Sequence, residues 1–279
     1  MDLLLGLDVG TTATKAILYD LEGRALAEAS APYPNGLQYP HPSWVEQDPG
    51  ELWQAVVQTV RKVTSQAPAA GRVAALSLSS QGGTTIVADA DGRPLRPAIS
   101  WMDTRADVTG EGSALGRSLG EDYVYRTSGW WFSAGMTLQH LIWMRRHEPQ
   151  TFAAIRRCLF VNDYVLQRLT GEWVMDPTDA AMTMLFNLET GDWHDPFLEA
   201  AGIERAQLSS MRPSGAPVGT VLPAVAAELG LPAGVLVVNG AHDQYCAALG
   251  SGVIHPGDAV LSCGTAWVMF LCADHLLLD

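Results

Sequence analysis

The sequence predicts an α/β fold with a mixed five-stranded sheet flanked by helices on both faces. Three short runs separated by turn residues, within Leu3–Tyr33, are typical of a β-meander that begins this sheet. The apolar runs "RVAALSLSS" and "GVLVVNG" predict two further strands. Helical patterns occur between these runs, and such alternation of strands and helices is typical of an α/β architecture.

The first hairpin has an unusually polar bend. Leu3–Val9 and "TKAILYD" are its two apolar runs, and "GTTA" lies between them. Asp8 stands at the end of a strand that should be buried, where a carboxylate is costly unless it is paired or near a cation. Glycine and threonine can offer backbone N–H groups and hydroxyls to an anion. Two interpretations stay open: a tight turn with a strand-end aspartate, or a phosphate loop beside a metal-holding carboxylate.

A helix is predicted to begin at Asp48. Asp48 is a typical N-cap, Pro49 suits the first helical position, and Glu51 has the spacing of a capping box. The buried stripe of this helix is predicted to comprise Leu52, Trp53, Val56, Val57, Val60 and Val63.

The remaining elements follow from shorter patterns. "TTIVAD" and "PAISW" predict short strands, whereas "TLQHLIWMRRHEP", "VNDYVLQRLTG" and "LPAVAAELG" predict helices. Another helix is expected to begin near Asp243. "DAVLSCGTAWVMFL" predicts a hairpin around a tight bend at Cys263, Gly264 and Thr265.

Composition restricts the classes of function. The 279 residues allow one or two domains, and 48% hydrophobic with 17% charged residues is ordinary for a compact enzyme. Thirty acidic against 17 basic residues give a net charge of −13, which argues against a nucleic-acid surface. An anionic substrate would therefore need backbone N–H groups or a divalent metal.

The cysteines indicate a compartment. Cys158, Cys246, Cys263 and Cys272 show neither CxxC spacing nor a zinc-type grouping with histidine, which suits a reducing cytosol. The sequence contains no signal-peptide pattern and no apolar run of membrane-spanning length. We therefore expect a cytoplasmic protein without a membrane partner.

The opening pattern recurs late in the chain. A strand, a "GT" bend and a second strand occur at Leu3–Tyr19 and again at Ala259–Leu271, which suggests two loops that close on one nucleotide. Between them, Asp243 follows a strand and begins a helix. It is either an ordinary N-cap or a base that accepts the proton of a substrate hydroxyl during phosphoryl transfer.

Motifs spread over the whole chain resemble the FGGY family of carbohydrate kinases. They are "GLDVGTTATKAILYD", "WVEQDP", "PAISWMDTR", "NDYVLQRLTG" with "DPTDAAMTM", "NGAHDQYCAALGSG" and "LSCGTAW". The resemblance implies a ribonuclease-H-like fold of the actin-like ATPase superfamily. It also implies ATP-dependent phosphorylation of a small sugar at a terminal hydroxyl, with ATP and Mg²⁺ as cofactors.

The resemblance also implies roles for individual residues. Asp8 would hold Mg²⁺ through water, and Asp243 would be the catalytic base. The residues expected near ATP phosphates are Gly10, Thr11, Thr12 and Lys15 in the first loop, and Gly264 and Thr265 in the second.

The sugar site shows the most individual features. In the family, the loop after Gln81 reaches the substrate, with an Arg-Glu pair in glycerol kinases and a Met-His pair in bacterial xylulokinases. Here both positions are glycine, Gly82 and Gly83, which argues against glycerol and against a strict xylulokinase. Since "WMDTR" is close to the xylulokinase branch, we expect a ketopentose, a ketohexose or a polyol. The two glycines make a roomier pocket, let backbone groups meet the sugar, or merely form a flexible turn.

Other side chains leave alternatives. Trp101 stacks on the sugar or packs in the core, and Asp103 matches a substrate-contacting aspartate of the xylulokinase pattern. A dyad of His242 with Asp243 is disfavoured, because neighbouring side chains usually point apart. The pair Trp130 and Trp131 is expected in packing or in an interface.

The domain division follows from the resemblance. Residues 1–252 would form the sugar-binding N-terminal domain, and 253–279 would begin the nucleotide-binding domain, whose remainder is absent from this sequence. We expect a fragment or a natural short form, in which Val268, Phe270 and Leu271 are exposed or pair with another copy in a homodimer. A non-catalytic sugar-binding or regulatory module with this fold is the alternative function.

Overall fold

The computed structural model describes residues 1–67, 72–132, 135–263 and 267–278. The strands are β1 Asp2–Val9, β2 Ala13–Tyr19, β3 Ala25–Pro32, β4 Glu46–Gln47, β5 Arg72–Ser80, β6 Ile86–Ala88, β7 Ala98–Ile99, β8 Arg157–Leu159, β9 Val174–Met175, β10 Phe186–Asn187, β11 Asp192–Trp193, β12 Ser210–Met211, β13 Pro217–Thr220, β14 Leu236–His242, β15 Ala259–Cys263 and β16 Trp267–Leu271. The helices are α1 Pro49–Ser65, α2 Arg105–Val108, α3 Glu111–Leu119, α4 Glu121–Ser128, α5 Thr137–His147, α6 Pro149–Ala154, α7 Val161–Thr170, α8 Pro177–Ala181, α9 Asp195–Ala201, α10 Pro223–Leu229 and α11 Asp243–Gly250, with a 3₁₀ turn at Arg205–Gln207.

The central sheet confirms the predicted α/β class. Within the described residues it has six strands in the order β13-β14-β5-β1-β2-β3, so β1 lies inside the sheet. Strand β5 is parallel to both β1 and β14, whereas β1–β2–β3 is an antiparallel meander. The sheet has one strand more than predicted, because β13 pairs antiparallel with β14 at the edge. Its four residues, "PVGT", include proline and glycine, which give a weak strand pattern.

Most of the core lies on one face of the sheet. Alternate side chains of β1 are buried there, and α1, α7 and α10 contribute to the same hydrophobic cluster. Of the predicted stripe of α1, Leu52, Val56, Val60 and Val63 are fully buried, whereas Trp53 and Val57 are partly buried. Helix α11 lies over the other face, where Cys246 is near Ser79 and Asp8.

Helix α1 begins as predicted, but its first turn differs in one contact. The Asp48 carboxylate accepts a hydrogen bond from the Gly50 backbone N–H at 2.8 Å, which confirms the N-cap. The Glu51 carboxylate does not complete a capping box. It accepts hydrogen bonds from the backbone and side-chain amides of Asn35 instead, and so attaches the preceding loop to the helix.

A second hydrophobic cluster forms beside the sheet from the region between Gln81 and Met211. Arg105 lies inside this cluster, and its side chain is fully buried. Its guanidinium donates to Asp103 at 2.8 Å and to Glu46 at 2.9 Å. The same guanidinium stacks over the rings of Trp44 and Trp143. These contacts pair a charge that would otherwise be costly to bury.

The final hairpin packs on α11 through one side. The Phe270 ring meets Tyr245 edge-on with 4.9 Å between ring centroids, so Phe270 is half-buried, as is Val268. Leu271 is exposed as expected, together with Trp267 and Met269. Separately, no helix in the described parts of the chain is long and apolar enough to cross a membrane.

Gly240 allows β14 to lie against β5. The pairing of β14 with β5 is irregular between Val238 and Ala241, and a Cβ at position 240 would lie 1.6 Å from the carbonyl oxygen of Leu78. We expect Gly240→Ala to lower the free energy of unfolding by about 3 kcal/mol, because the backbone must move to admit the methyl group. Urea denaturation followed by circular dichroism measures this change.

Gly250→Ala is the matched control for that substitution. Gly250 ends α11, and a Cβ there would meet no described atom within 4 Å. We expect unchanged stability or a gain of about 0.5–1 kcal/mol, because alanine favours helix over glycine. Equal effects of the two substitutions would contradict the close approach of β14 to β5.

Candidate active site

Three parallel strands bring the candidate residues to one edge of the sheet. Val9 of β1 lies level with Ser80 of β5, and His242 of β14 lies level with the same serine. Asp243 follows at once as the first residue of α11. The carboxyl ends of parallel strands are where open α/β sheets bind ligands.

A cavity of about 330 Å³ opens at this edge. Its lining comprises Thr11, Gln81, Gly82, Gly83, Trp101, Trp130, Gly135, Met136, Met182, His242, Asp243, Gln244 and Val268. The volume is that of a small-molecule site, and the mixture of aromatic, apolar and a few polar side chains is typical of one.

Asp8 is held at the end of β1 by two partners. Ser79 Oγ donates to Asp8 Oδ1 at 3.3 Å, and Lys15 Nζ lies 3.8 Å from Asp8 Oδ2. Burial raises the pKa of the Asp8 carboxyl and the Asp243 charge adds to this, while Lys15 and Ser79 act in the opposite direction. Two carboxylates therefore influence each other beside the cavity, an arrangement that a divalent cation would stabilise.

Lys15 lies beside Asp8 because the two residues are paired across β1 and β2. Its ammonium group is largely exposed, and its predicted contact with ATP phosphates stays a prediction.

The first turn offers fewer donors than its sequence suggests. The Gly10 N–H donates to the Ala13 carbonyl at 3.1 Å, and the Tyr33 hydroxyl donates to the Gly10 carbonyl at 2.9 Å. Gly10 therefore shapes the turn, and its own N–H is not available to a phosphate. Within the described residues, the backbone N–H groups of Thr11 and Thr12 donate no hydrogen bond.

A chain of hydrogen bonds joins this turn to the wall of the cavity. Gln81 Nε2 donates to Gln47 Oε1 at 2.9 Å, and Gln47 Nε2 donates to the Thr11 carbonyl at 3.0 Å. Trp101 Nε1 donates to Thr11 Oγ1 at 3.1 Å. Gln81 Oε1 accepts from Thr84 Oγ1, so both polar atoms of the Gln81 amide are held within the protein and help to position the turn. Trp101 lines the cavity and is half-buried, which favours the ligand-stacking alternative over the core.

Asp103 is engaged within the protein, and its contact with a sugar stays a prediction. Its carboxylate accepts hydrogen bonds from the Arg105 side chain and from the backbone N–H of Val45 and Arg105. The side chain is fully buried and does not line the cavity. Sequence similarity identified the position, but only the packing shows that both oxygens are occupied.

Glycine is required at each of the two positions after Gln81, but for a different physical reason. Gly83 adopts a left-handed conformation with φ of 75°, which other residues rarely adopt. At position 82, a Cβ would lie 2.5 Å from His242 Cδ2 and 2.8 Å from Met182 Cγ. A side chain at Gly82 would therefore not fit without movement of His242 or Met182, whereas Gly82 itself lines the cavity.

His242 and Asp243 face the same cavity, contrary to expectation. His242 Nε2 lies 3.2 Å from Asp243 Oδ1. The chain reverses here from strand to helix, so neighbouring side chains converge instead of alternating. Burial lowers the pKa of His242, against the opposing charges of Asp243 and Asp176, and this favours the neutral imidazole. Gln244 also lines the cavity and was missed, although its amide directly follows the predicted base.

Gly264 and Thr265, the predicted second phosphate loop, lie outside the described residues. The residues on either side, Cys263 and Trp267, are paired in the predicted hairpin.

Comparisons with known proteins agree with this arrangement. A family model described as "FGGY family of carbohydrate kinases, N-terminal domain" matches residues 3–250. The chain is 34% identical over 273 residues to a xylulose kinase of Escherichia coli (strain K12), covering 98% of this chain and 55% of the relative. It is 35% identical over 280 residues to a glycerol kinase of Thermus brockianus, covering 97% and 54% respectively.

A solved structure shows the same fold. The crystal structure of xylulose kinase from Rhodospirillum rubrum superimposes with a TM-score of 0.94 at 29% identity, covering 99% of this chain and 56% of that one. The chain thus spans about half the length of the curated relatives it matches. From the family match and the shared fold we conclude that this chain belongs to the FGGY family of carbohydrate kinases.

Proposed function

We propose that this chain provides the sugar-binding half of an enzyme that transfers a phosphoryl group from ATP to a terminal hydroxyl of a small sugar. The observation that carries the proposal is the pair of carboxylates, Asp8 and Asp243, beside a cavity of about 330 Å³. Relatives named as xylulose and glycerol kinases support the reaction class.

Asp243 would be the general base. It lines the cavity and is the first residue of α11, and the positive end of the helix dipole at this N-terminus favours a negative charge. A substrate hydroxyl held against Asp243 would transfer its proton to the carboxylate as its oxygen attacks the γ-phosphorus. Because the transition state is loose, the base mainly orients the hydroxyl and accepts the proton late.

Asp8 fits a divalent cation. Its side chain is 41% exposed and its contacts to Ser79 and Lys15 are long, which leaves oxygen lone pairs for a ligand. The described residues contain no group of three or more metal-ligating side chains, so Mg²⁺ would take further ligands from water and phosphates. When bound, the cation would neutralise charge that develops on the phosphates.

The phosphates would be held by the turn that ends β1. The N–H groups of Thr11 and Thr12, which donate to no described residue, would supply donors, and Lys15 would add a positive charge. Gly264 and Thr265 would contribute from the second hairpin. In this proposal residues 1–252 form the sugar-side domain, and 253–279 begin a nucleotide-side domain.

The substrate would be a ketose or polyol of about five or six carbons. Trp101 and Trp130 give the cavity broad apolar faces for the C–H side of a sugar. The glycines at positions 82 and 83 exclude the Arg-Glu pair associated with glycerol.

Asp243→Asn should reduce phosphorylation by roughly 10²–10⁴-fold, because the amide keeps the size of the side chain but cannot accept the proton. Sugar affinity should change little. Steady-state ADP release and calorimetric sugar binding measure the two effects, in whichever form of the chain turns over ATP. Asp2→Asn is the matched control at the opposite end of β1, where Asp2 is exposed near Arg72. Turnover of Asp243→Asn within threefold of wild type would eliminate Asp243 as the base.

A substrate panel tests the sugar class. Ketopentoses, ketohexoses and polyols are each supplied with ATP and Mg²⁺ to a full-length form of the enzyme, and ADP release is compared at equal concentrations. We expect a ketose or a five- to six-carbon polyol to give the highest kcat/KM. Preference for glycerol over every ketose would contradict this proposal.

Residues 1–279 alone should bind the preferred sugar but should not turn over ATP. Phosphoryl transfer depends on alignment of nucleotide and hydroxyl, and such alignment contributes about 7–11 kcal/mol of barrier lowering. Calorimetry and an ADP assay on the same sample separate binding from turnover. Multiple turnovers at the rate of a longer form would contradict this expectation. Sugar binding without ATP turnover in any form would favour the alternative, a non-catalytic sugar-binding module.

A further inference from the structure

Few polar side chains in the cavity remain available to a ligand. The Gln81 amide, the Trp101 N–H and Thr11 Oγ1 are engaged in hydrogen bonds within the protein. Trp130, which also lines the cavity, donates its indole N–H to the Ala181 carbonyl. Among the described residues, the other polar side chains that line the cavity belong to three consecutive residues, His242, Asp243 and Gln244. Hydroxyl groups of a sugar would therefore be recognised mainly from the end of β14 and the start of α11.

His242 occupies the volume that a side chain at position 82 would need. A Cβ on residue 82 would lie 2.5 Å from His242 Cδ2 and 2.9 Å from His242 Nε2. Side chains at both positions therefore exclude each other unless the imidazole moves. The glycine at 82 is therefore a steric requirement of the histidine at 242.

The surroundings of the imidazole leave it able to bind a hydroxyl. The backbone N–H of His242 donates to Thr178 Oγ1 at 2.8 Å, which fixes the residue at the strand end. Nδ1 is buried and has no partner among the described residues, so Nε2, which lies 3.2 Å from Asp243 Oδ1, is the ring nitrogen that a ligand can reach. Two charged groups act on the ring: Asp243, and Asp176, which is the N-cap residue of α8. A neutral imidazole has one donor and one acceptor nitrogen, as a hydroxyl partner requires.

We infer that His242 is a specificity-determining residue that binds the hydroxyl next to the one held by Asp243. Since Nε2 and Oδ1 are 3.2 Å apart, the two side chains together match two oxygens on adjacent carbons. The ligand class is thus a sugar or polyol with a vicinal diol at its reacting end. This inference rests on the proposed function, because it assumes that Asp243 holds the terminal hydroxyl.

The test compares two ligands and three variants in calorimetric titrations of this chain. The ligands are the tightest-binding compound of the panel and the same compound without the hydroxyl next to the terminal one. We expect His242→Ala to weaken binding of the full ligand roughly five- to tenfold, as loss of one hydrogen bond implies, and to leave the deoxy compound unaffected. His242→Asn, which keeps a donor and an acceptor, should retain part of the preference. The exposed His255 provides the control, and His255→Ala should match wild type for both ligands.

A double-mutant cycle tests the steric coupling independently of any ligand. Gly82→Ala alone should lower the melting temperature, because its methyl group meets the imidazole. Gly82→Ala combined with His242→Ala should recover most of that loss, since only the flexible Met182 side chain then has to move. Melting temperatures also show whether each variant is folded before it is titrated.

The outcomes separate this inference from the proposed function. If wild type binds the panel compounds and His242→Ala binds both ligands as wild type does, His242 has no role in specificity and the inference is overturned. Additive effects of the two substitutions on melting temperature would overturn the steric argument. If wild type binds no sugar or polyol, the proposed function fails, and this inference fails with it.

Discussion

The parallel alignment of β5 between β1 and β14 is the constraint on which the site depends. It places Asp8, Ser80 and His242 at one edge of the sheet, although they are far apart in the sequence. Because a parallel ladder sets register along whole strands, a local change at one strand end cannot move one group independently of the others. The close approach at Gly240 is part of the same alignment, since it lets β14 follow β5 through an irregular pairing.

Buried polar groups fix the ends of β5 and β14 at this edge through hydrogen bonds. Asp176 caps α8 and accepts hydrogen bonds from Asn162 and Thr178, and Thr178 in turn receives the backbone N–H of His242. Burial, reinforced by Asp176, raises the pKa of Asp179 well above its usual range, and Ser80 donates to this carboxyl. A network with so many mutual partners gives the strand end a defined geometry, which a specific ligand site requires.

The wall of the cavity is held by a different set of contacts. The buried Arg105 joins Asp103 and Glu46. Gln47, the next residue after Glu46, connects Gln81 to the carbonyl of Thr11 in the turn that follows β1. Trp101 contacts both the cavity and Thr11, so a sugar stacked on its ring would also stabilise the turn next to Asp8. The proposed sugar and phosphate sites would thus be connected through the direct contact of Trp101 with Thr11.

The sequence by itself determined the strand order of the meander, the N-cap at Asp48, the family and the prominence of Asp8 and Asp243, because these depend on local periodicity, turn chemistry and motif spacing. The tertiary structure decided which polar groups are free. Asp103 and Gln81 matched a substrate pattern, yet their polar atoms bind other side chains. Gly82 looked like an open position, yet its space is filled by His242, 160 residues later in the chain. Hydrogen-bond satisfaction and excluded volume depend on neighbours distant in sequence, and no local pattern contains them.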